Sequence, residues 1–548
     1  MQRKQEIMAT KTLKTHKNKA IFRWFLFSLC LCVSVVNLSC SSKPTDLRTL
    51  VPAETLVYLE TNDLAAALQP IVDAKPFMEV AKSKPDFSAL KGVQLAVAVT
   101  GFETSEEKLT DEQSVGRVQP RFVAVAETHA WSFQANAFAE QKLGGFVREI
   151  YDSEPKLEKS DKNGGKYFKW TATDGRKAFA LVDGSVIYFG NDETAIDKCL
   201  AVKRGETDSI NTTGKVPTPS TETLASGYVS TDGIAQIANI IGLKYASETS
   251  EDSGVQSAIA GILPELLRKS ITDITWTATK TDEGIEDKYQ ISMPAEIANV
   301  FNETMVANDG IDSRLIAELP ENVSTVTLYN LKSPQVAWRS LLLVTQKQAD
   351  STIAAGILIS FAGGLFEPYG IREPELFLSS VEKKPQGHNI LVAKLDAEGE
   401  RIVTIMNRAL DEGPMVKSLM PGLKLHASSA TGAILSTQDE NLQVIFDRES
   451  VRIGSKESLD SCSNYGATDL KSEQFRRLSL TQAPVATIGR DTATSLSLIE
   501  MLTHVDYGDT QVVSTYFSET RFTKSGMERK TVSDFGLIGS IIAQLGAE

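Results

Sequence analysis

A pattern of strand, turn, strand and helix occurs twice in this 548-residue chain, and this repetition constrains the fold more than any other feature of the sequence. The first copy reads FALVDGSVIYFGNDETAIDKC over residues 179–199, and the second reads QVIFDRESVRIGSKESLDSC over residues 443–462. In both copies two apolar runs flank a short polar turn, and the second run ends at a glycine, Gly190 or Gly454. The turns and the glycines share one offset of 264 residues, so we predict the same local fold at both places.

The local signals inside this repeat favour a β-hairpin that leads into a helix. Asp183 and Gly184 lie between two apolar runs, and this dipeptide predicts a tight turn because glycine adopts positive φ without strain. Asn191 and Ser455 follow the two strand-ending glycines, and both residue types cap helices through their side-chain oxygens. We therefore predict a helix that begins directly after each of these two residues.

A second pair of segments occurs in the same order. Residues 272–293 resemble residues 513–534, and Gly284 matches Gly526 at an offset of 242 residues. Both segments alternate polar and apolar residues around their glycine, which is typical of hairpins. Each copy also opens with a strand, a polar break and a helix.

The matched segments divide the chain into five parts. We predict a signal peptide, a tether, a first copy, a linker and a second copy at residues 1–40, 41–49, 50–305, 306–317 and 318–548. Each copy mixes antiparallel hairpins with helices. The predicted class is therefore α+β, with two tandem, pseudo-symmetric copies of an antiparallel-sheet-plus-helices module.

Two segments between the repeated motifs have a distinctive composition. Residues 101–121 are acidic and rich in polar residues, and we expect a long exposed loop there. Residues 354–371 are the most apolar stretch after the amino terminus. We favour a core helix that packs closely through its glycines, and a membrane-contacting or partner-binding helix stays open as the alternative.

The first 40 residues are typical of an export signal. Seven lysines and arginines in residues 1–23 precede an apolar run over residues 24–38, which is shorter than the ~20 residues that span a bilayer. The basic end stays in the cytoplasm, so the bulk of the chain is expected to be exported. Met1 and Met8 both stay open as the first residue.

The end of the apolar run resembles the cleavage site of bacterial lipoproteins. Leu38, Ser39 and Cys40 place a small residue before a cysteine, and a polar tether follows. The resemblance implies that Cys40 is lipidated and becomes the first residue of the mature protein. That family prefers leucine where Asn37 stands, so an uncleaved anchor or ordinary cleavage stays open. Ser41 implies transfer to the outer membrane, facing the periplasm.

The charge balance argues against nucleic acid as a partner. The formal net charge is −13, and it becomes −19 once the basic residues 1–40 are removed. A surface this acidic repels phosphate backbones. It is also expected to stay away from anionic lipid unless an anchor holds it there. The expected partners are therefore a membrane, through the lipid anchor, and an unknown envelope protein or ligand.

Three stretches of the first copy resemble a known family. They read LVPAETLVYLETNDLAAAL, FALVDGSVIYFGNDETAID and SGYVSTDGIAQI, at residues 50–68, 179–197 and 226–237. Together they resemble a family of secreted or lipid-anchored bacterial proteins known only as a domain of unknown function. The resemblance implies an envelope location and supplies no activity and no catalytic residues. The second copy departs from it, because residues 319–331 lack the Ala-acid-Thr run.

We predict no catalytic, cofactor-binding or metal-binding residues and no cofactor. The histidines after residue 40 do not lie at metal-ligand spacing from one another or from a cysteine; they are His129, His388, His426 and His504. The sequence also lacks nucleophile-elbow, zinc-protease and phosphate-loop motifs. A glycosidase needs only two carboxylates at the right separation, so that class stays open.

Cys199 and Cys462 end the two copies of the repeated motif at matching positions. An exported protein can form disulfides, so a bridge between them is one interpretation. We favour two buried thiols, because each cysteine completes an apolar i, i+3 stripe on its helix and free cysteine packs as a small hydrophobe.

The leading functional hypothesis is a non-catalytic binding or scaffolding lipoprotein of the cell envelope. It follows from the anchor motif, the duplicated body and the lack of recognisable catalytic motifs. An exported hydrolase that uses unmarked carboxylates is the main alternative, and a small-ligand or peptide carrier is another. The boundary between two copies is a common place for a ligand.

Overall fold

The architecture is that of a computed structural model of the chain. In the first half the described residues are 45–81, 83–108, 114–151, 153–220, 222–249 and 264–308. In the second half they are 311, 315–316, 318–319, 323–333, 336–337, 340, 343–344, 347, 388–395, 402–407, 424–429, 432–436, 443–446, 450–454, 459–460, 473–491, 493–503, 505, 507–508, 510 and 512–547.

Twenty strands in these residues form one antiparallel sheet. The first ten are β1 Val57–Thr61, β2 Gln94–Lys108, β3 Ser114–Glu127, β4 Lys156–Lys162, β5 Gly165–Thr171, β6 Lys177–Asp183, β7 Val186–Gly190, β8 Thr223–Ser230, β9 Asp273–Thr281 and β10 Gly284–Ser292. The second ten are β11 Val323–Leu331, β12 His388–Leu395, β13 Ile402–Asn407, β14 Lys424–Ser429, β15 Gly432–Ser436, β16 Gln443–Phe446, β17 Ser450–Gly454, β18 Val485–Asp491, β19 Ser514–Thr523 and β20 Gly526–Ser533.

Helices connect the strands and cover the sheet. They are α1 Leu64–Asp73, α2 Lys75–Val80, α3 Ser132–Phe138, α4 Gly144–Tyr151, α5 Glu193–Lys203, α6 Thr231–Thr249, α7 Ala295–Thr304, α8 Glu473–Leu480, α9 Ala493–Thr503 and α10 Gly536–Ala547. Helices with a large antiparallel sheet confirm the predicted α+β class.

The strands of each half pair in the same order. In the first half the order across the sheet is β4-β5-β6-β7-β3-β2-β1-β8-β9-β10. In the second half it is β14-β15-β16-β17-β13-β12-β11-β18-β19-β20. The two runs join where β10 pairs with β20. We call this ladder, which links residues 285–292 to residues 526–533, the seam.

The hairpins predicted from the glycine motifs are present. Gly184 turns between β6 and β7 with a φ of +69°, and the strands pair back from Asp183 and Val186. Gly284 and Gly526 each begin the second strand of their hairpin, at φ +129° and +141°. Side chains other than glycine rarely adopt these values, so local sequence alone specifies the turns.

Two apolar clusters cover opposite faces of the first half. Along β2, Leu95 and Val97 belong to one cluster and Ala96 and Ala98 to the other, as the two-residue period of a strand requires. The first cluster lies under α1, α2, α4, α9 and α10, so it takes side chains from both halves. The second lies under α5. Burial of each large apolar side chain contributes roughly 1.5–3 kcal/mol, so the shared cluster binds the halves strongly.

Two details differ from the sequence predictions. Residues 101–108 and 114–121 are not a loop, because β2 continues to Lys108, β3 begins at Ser114, and the two strands pair along these residues. The cap of α5 is Asp192, whose carboxylate accepts from the Thr194 backbone N–H. Asn191 instead bonds the backbone of the neighbouring strand β3, because its position at the strand end brings it within reach.

The predicted tether and linker also carry structure. Leu47, in the predicted tether, is buried at 2% exposure in a short 3-10 helix. Ala307, in the predicted linker, bridges to Leu331 of β11. Residues 354–371 lie outside the described residues.

Candidate functional site

The seam brings the two halves into backbone contact along its whole length. Lys288 pairs with Lys530 at its middle, and the ladder runs from Ile285 to Ser292. A Cβ atom on Gly284 would collide with a backbone carbonyl of β20, and one on Gly526 would collide with a carbonyl of β10. Glycine at both turns therefore permits the close approach of the two strands.

A cavity of about 200 Å³ lies on one face of the seam. Strands β10, β19 and β20 form its floor, and helices α9 and α10 form its walls. Its lining is mixed, with aromatic and aliphatic side chains beside two carboxyls and several hydroxyls. The polar side chains of the lining are Asp287, Tyr289, Asp491, Ser495, Ser514, Thr515, Tyr516, Thr531, Ser533 and Ser540.

Asp287 is the buried acid of this cavity, with 2% of its surface exposed. Its Oδ1 accepts a 2.8 Å hydrogen bond from the Trp276 indole N–H. Its Oδ2 accepts a 2.8 Å hydrogen bond from the Leu537 backbone N–H at the start of α10. A carboxylate from the first half thus caps a helix of the second half, where the helix dipole favours negative charge.

Burial determines the acidity of this group. It raises the pKa of Asp287 to about 6, although the bonds from Trp276 and Leu537 favour the anion and lower the pKa. The charge of neighbouring Glu286 raises it further. Asp287 therefore changes charge near neutral pH, unlike an ordinary aspartate.

A pair of serines lies on the second-half side of the cavity. The Ser495 and Ser514 hydroxyls lie 2.6 and 3.0 Å from the Asp491 carbonyl oxygen, and 2.5 Å from each other. Their hydrogen bonds hold the start of α9 against β19. Both hydroxyls are occupied by this contact, which makes them a structural pair and not a free nucleophile.

Thr531 supplies the unpartnered polar atom of the cavity. It pairs with Asp287 across the seam, and its buried Oγ1 has no hydrogen-bond partner among the described residues. Tyr289 lies nearby, and burial raises the pKa of its phenol, so it remains a hydrogen-bond donor at neutral pH. A water molecule or the polar group of a small ligand would satisfy Thr531.

The cavity favours a small polar occupant over a large one. Its volume is below the ~300–1,000 Å³ of pockets that enclose drug-sized ligands. It holds one strongly shifted carboxyl, and both oxygens of that carboxyl already accept hydrogen bonds from the protein. General acid or base chemistry there would first require a bond to Trp276 or Leu537 to break.

Two other carboxylates are buried in the described residues, and the protein satisfies both. Glu60 accepts from the Tyr58 hydroxyl at 2.8 Å and the Ser226 hydroxyl at 3.1 Å. Burial raises the pKa of Glu60. Glu127 accepts from the His129 backbone N–H at 2.8 Å. These acids hold strand ends together, as buried carboxylates with local donors usually do.

Of the three cysteines singled out from the sequence, the structure describes only Cys199. Cys199 is fully buried in the cluster under α5, bonds to no described cysteine, and has a pKa raised to about 12 by burial. Such a thiol is inert. Cys40 and Cys462 lie outside the described residues.

Sequence reasoning missed Asp287. The signal was present, because Ile285, Asp287, Tyr289 and Ile291 occupy one face of β10 and only one of them is charged. A lone acid in an inward-facing apolar row indicates a buried partner. Its partners come from β9 and from α10, 250 residues along the chain, and no local pattern reveals them.

No group of three or more His, Cys, Asp or Glu side chains is arranged to hold a metal ion within the part of the chain that the structure describes. No helix in that same part is long and apolar enough to cross a membrane.

Comparison with known proteins adds no relative. No protein-family model matches the chain, and neither a curated protein nor a solved structure matches it. The resemblance to a family of unknown function therefore stays a prediction.

The charge of Asp287 is expected to make stability depend on pH. Because its pKa is raised in the folded chain, the folded state binds this proton more tightly than the unfolded state does. The free energy of unfolding should therefore fall as pH rises from about 4 to about 6, and then level off. We expect the melting temperature of wild type to fall between pH 5 and pH 7. This fall should exceed that of Asp287→Asn by about 1–3 °C.

Thermal melts monitored by circular dichroism at the two pH values check this expectation. Glu286→Gln is the matched control, because it removes the neighbouring, partly exposed acid and leaves the buried one in place. It should keep most of the wild-type pH dependence, because burial is the largest cause of the raised pKa of Asp287 and the charge of Glu286 is the smallest. Equal pH dependence in wild type and Asp287→Asn would contradict the assignment.

Proposed function

We propose that the chain is an exported, lipid-anchored envelope protein whose two tandem, pseudo-symmetric copies form one non-catalytic binding or scaffolding body. The seam carries this proposal. It joins two sheets of the same strand order edge to edge, so the halves act as one unit that offers two related surfaces. We further propose the outer membrane, facing the periplasm, as its location.

The register of the seam supports the pseudo-symmetric arrangement. Lys288 pairs with Lys530, which is also its match at the 242-residue sequence offset. A twofold axis through this pair would exchange β10 with β20. It would also map the three pairs on one side of it onto the three pairs on the other, as it maps Ile285 and Ser533 onto Met527 and Ile291. Two unrelated strands would have no reason to meet at matching residues.

Equivalent strands around the motif glycines give independent support. Gly190 ends β7 between β3 and β6, and Gly454 ends β17 between β13 and β16. The sequence offset matches Gly190 with Gly454, and the strand order places the two glycines on equivalent strands. The offset comes from local sequence, whereas the strand order comes from pairing between distant segments.

The helices after the seam strands each reach across to the other half. Helix α7 follows β10 and packs on β19 and β20, where the ring centroids of Phe301 and Phe522 lie 5.7 Å apart. Helix α10 follows β20, packs on α9 of its own half, and also contacts β10 of the other half, where Asp287 caps it. Neither half buries its own edge, so they are expected to fold as a pair.

The buried acids support binding over catalysis. Asp287, Glu60 and Glu127 each accept hydrogen bonds from side chains or backbone of the protein. A hydrolase needs carboxylates that converge on a reacting atom. Acids that accept hydrogen bonds from the protein in this way stabilise the fold.

Lipidation is tested by metabolic labelling with radioactive palmitate. Wild type should incorporate label and Cys40→Ser should not, because the thiol is the acceptor atom. Cys32→Ser, which changes a cysteine in the same amino-terminal segment, is the matched control and should label like wild type. Equal labelling of Cys40→Ser and wild type would end the anchoring proposal.

Scaffolding is tested by crosslinking and affinity capture from intact envelopes. Wild type should recover the same envelope component in repeated experiments, and Cys40→Ser should recover less, because it is no longer held at the membrane. Purified protein should not degrade envelope polymers. Reproducible recovery of no component, together with turnover of such a polymer, would favour the hydrolase and sink the scaffold.

A further inference from the structure

Two aromatic side chains are exposed at the start of α3, in the first half. Trp131 is 69% exposed and Phe133 is 71% exposed, and no other large hydrophobic side chain among the described residues is more exposed. They lie at the start of α3, two positions apart. Two exposed aromatic rings two residues apart leave apolar area in contact with water, which indicates a surface that covers them.

Thr45, the first described residue, contacts the strand end that leads to α3. Glu127, the last residue of β3, accepts from the His129 backbone N–H at 2.8 Å through one oxygen. Through its other oxygen it accepts from the Thr45 hydroxyl at 3.5 Å. One carboxylate thus lies between the start of the body and the segment that leads to Trp131.

Gln94 fixes the position of Thr45. Its side-chain carbonyl accepts from the Thr45 N–H, and its amide donates to the Thr45 carbonyl, both at 2.8 Å. Gln94 is itself 1% exposed and begins β2, so these two hydrogen bonds attach Thr45 to the sheet. Four residues separate Thr45 from Cys40, and the five Cα-to-Cα steps between them span at most about 18 Å.

We propose that Trp131 and Phe133 insert into the headgroup region of the bilayer that holds the Cys40 lipid, and so fix the orientation of the body on the membrane. This inference rests on the proposed lipid anchoring. The short reach to Cys40 keeps this end of the body at the membrane surface. Indole and phenyl rings there bury apolar area, and the indole N–H keeps a polar partner.

Trp131 and Phe133 would bind the bilayer through apolar contact and not through attraction to anionic lipid. The chain after residue 40 is acidic, so charge alone would keep the body away from anionic lipid. Aromatic rings bury apolar area at the membrane interface, and this stabilises binding without basic residues. The lipid supplies attachment, and the rings select which face of the body meets the membrane.

The test uses the full-length protein purified from membranes and reconstituted into phosphatidylcholine vesicles with or without bromine on the acyl chains. Bromine quenches tryptophan only on contact. Trp170 and Trp276 are 2% and 5% exposed and serve as internal unquenched residues. We expect Trp131→Phe to lower the bromine-quenched fraction of the emission at least twofold.

Two further variants distinguish an effect of Trp131 and Phe133 from an effect that any exposed hydrophobic side chain would have. Phe133→Ser should reduce the quenching of Trp131, because it weakens insertion of the neighbouring ring. Leu480→Ser changes a side chain of 68% exposure on the second half and should leave the quenching as in wild type. All of these side chains are exposed, so the fold is retained.

Palmitate labelling of the same samples distinguishes the outcomes. A labelled Cys40 with no bromine quenching of Trp131 would overturn this inference and leave the anchoring intact. An unlabelled Cys40 would overturn both. Protection of Trp131 from acrylamide in intact cells without bromine quenching would assign the pair to a protein partner, and would also overturn it.

Discussion

The backbone ladder between β10 and β20 is the constraint on which the rest of the structure depends. Without it each half would end in an open strand edge, and open edges recruit other chains. The seam satisfies both edges at once, and it places α10 over the first half and α7 over the second. The apolar cluster under α9 and α10 then closes over residues of both halves. Sheet, helices and core therefore all depend on the same eight paired positions.

The two halves share their topology but differ in the chemistry they place at the seam. Asp287 and Trp276 form a buried hydrogen bond in the first half, at 2.8 Å. At the matching offset of 242 residues the second half has Arg529 and Ser518, which lie 3.3 Å apart. The acid caps α10, whereas α7 starts at Pro294 without a side-chain cap. The polar cavity lies on the α10 side of the seam, where an occupant would contact residues of both halves.

Local chemistry explains which parts of the structure could be predicted. The turns at Gly184, Gly284 and Gly526 need positive φ, and glycine in an alternating segment indicates that need directly. The paired strands β2 and β3 were missed, because their polar outer parts resemble a loop and their stability comes from pairing. The Asp287 contacts were missed for a related reason. Their donors lie on a neighbouring strand and on a distant helix, and only the completed sheet brings them together.

The register of the seam is the central claim, and a cysteine pair tests it most directly. Directly paired residues of an antiparallel ladder have Cα atoms about 4.5–5.5 Å apart, within the span of a disulfide. Lys288→Cys with Lys530→Cys should therefore yield a linked peptide on mild oxidation, identified by mass spectrometry. Lys288→Cys with Glu528→Cys is shifted by two residues, to about 7–8 Å, and should link poorly. Preferential linkage of the shifted pair, or no linkage of either, would contradict the account.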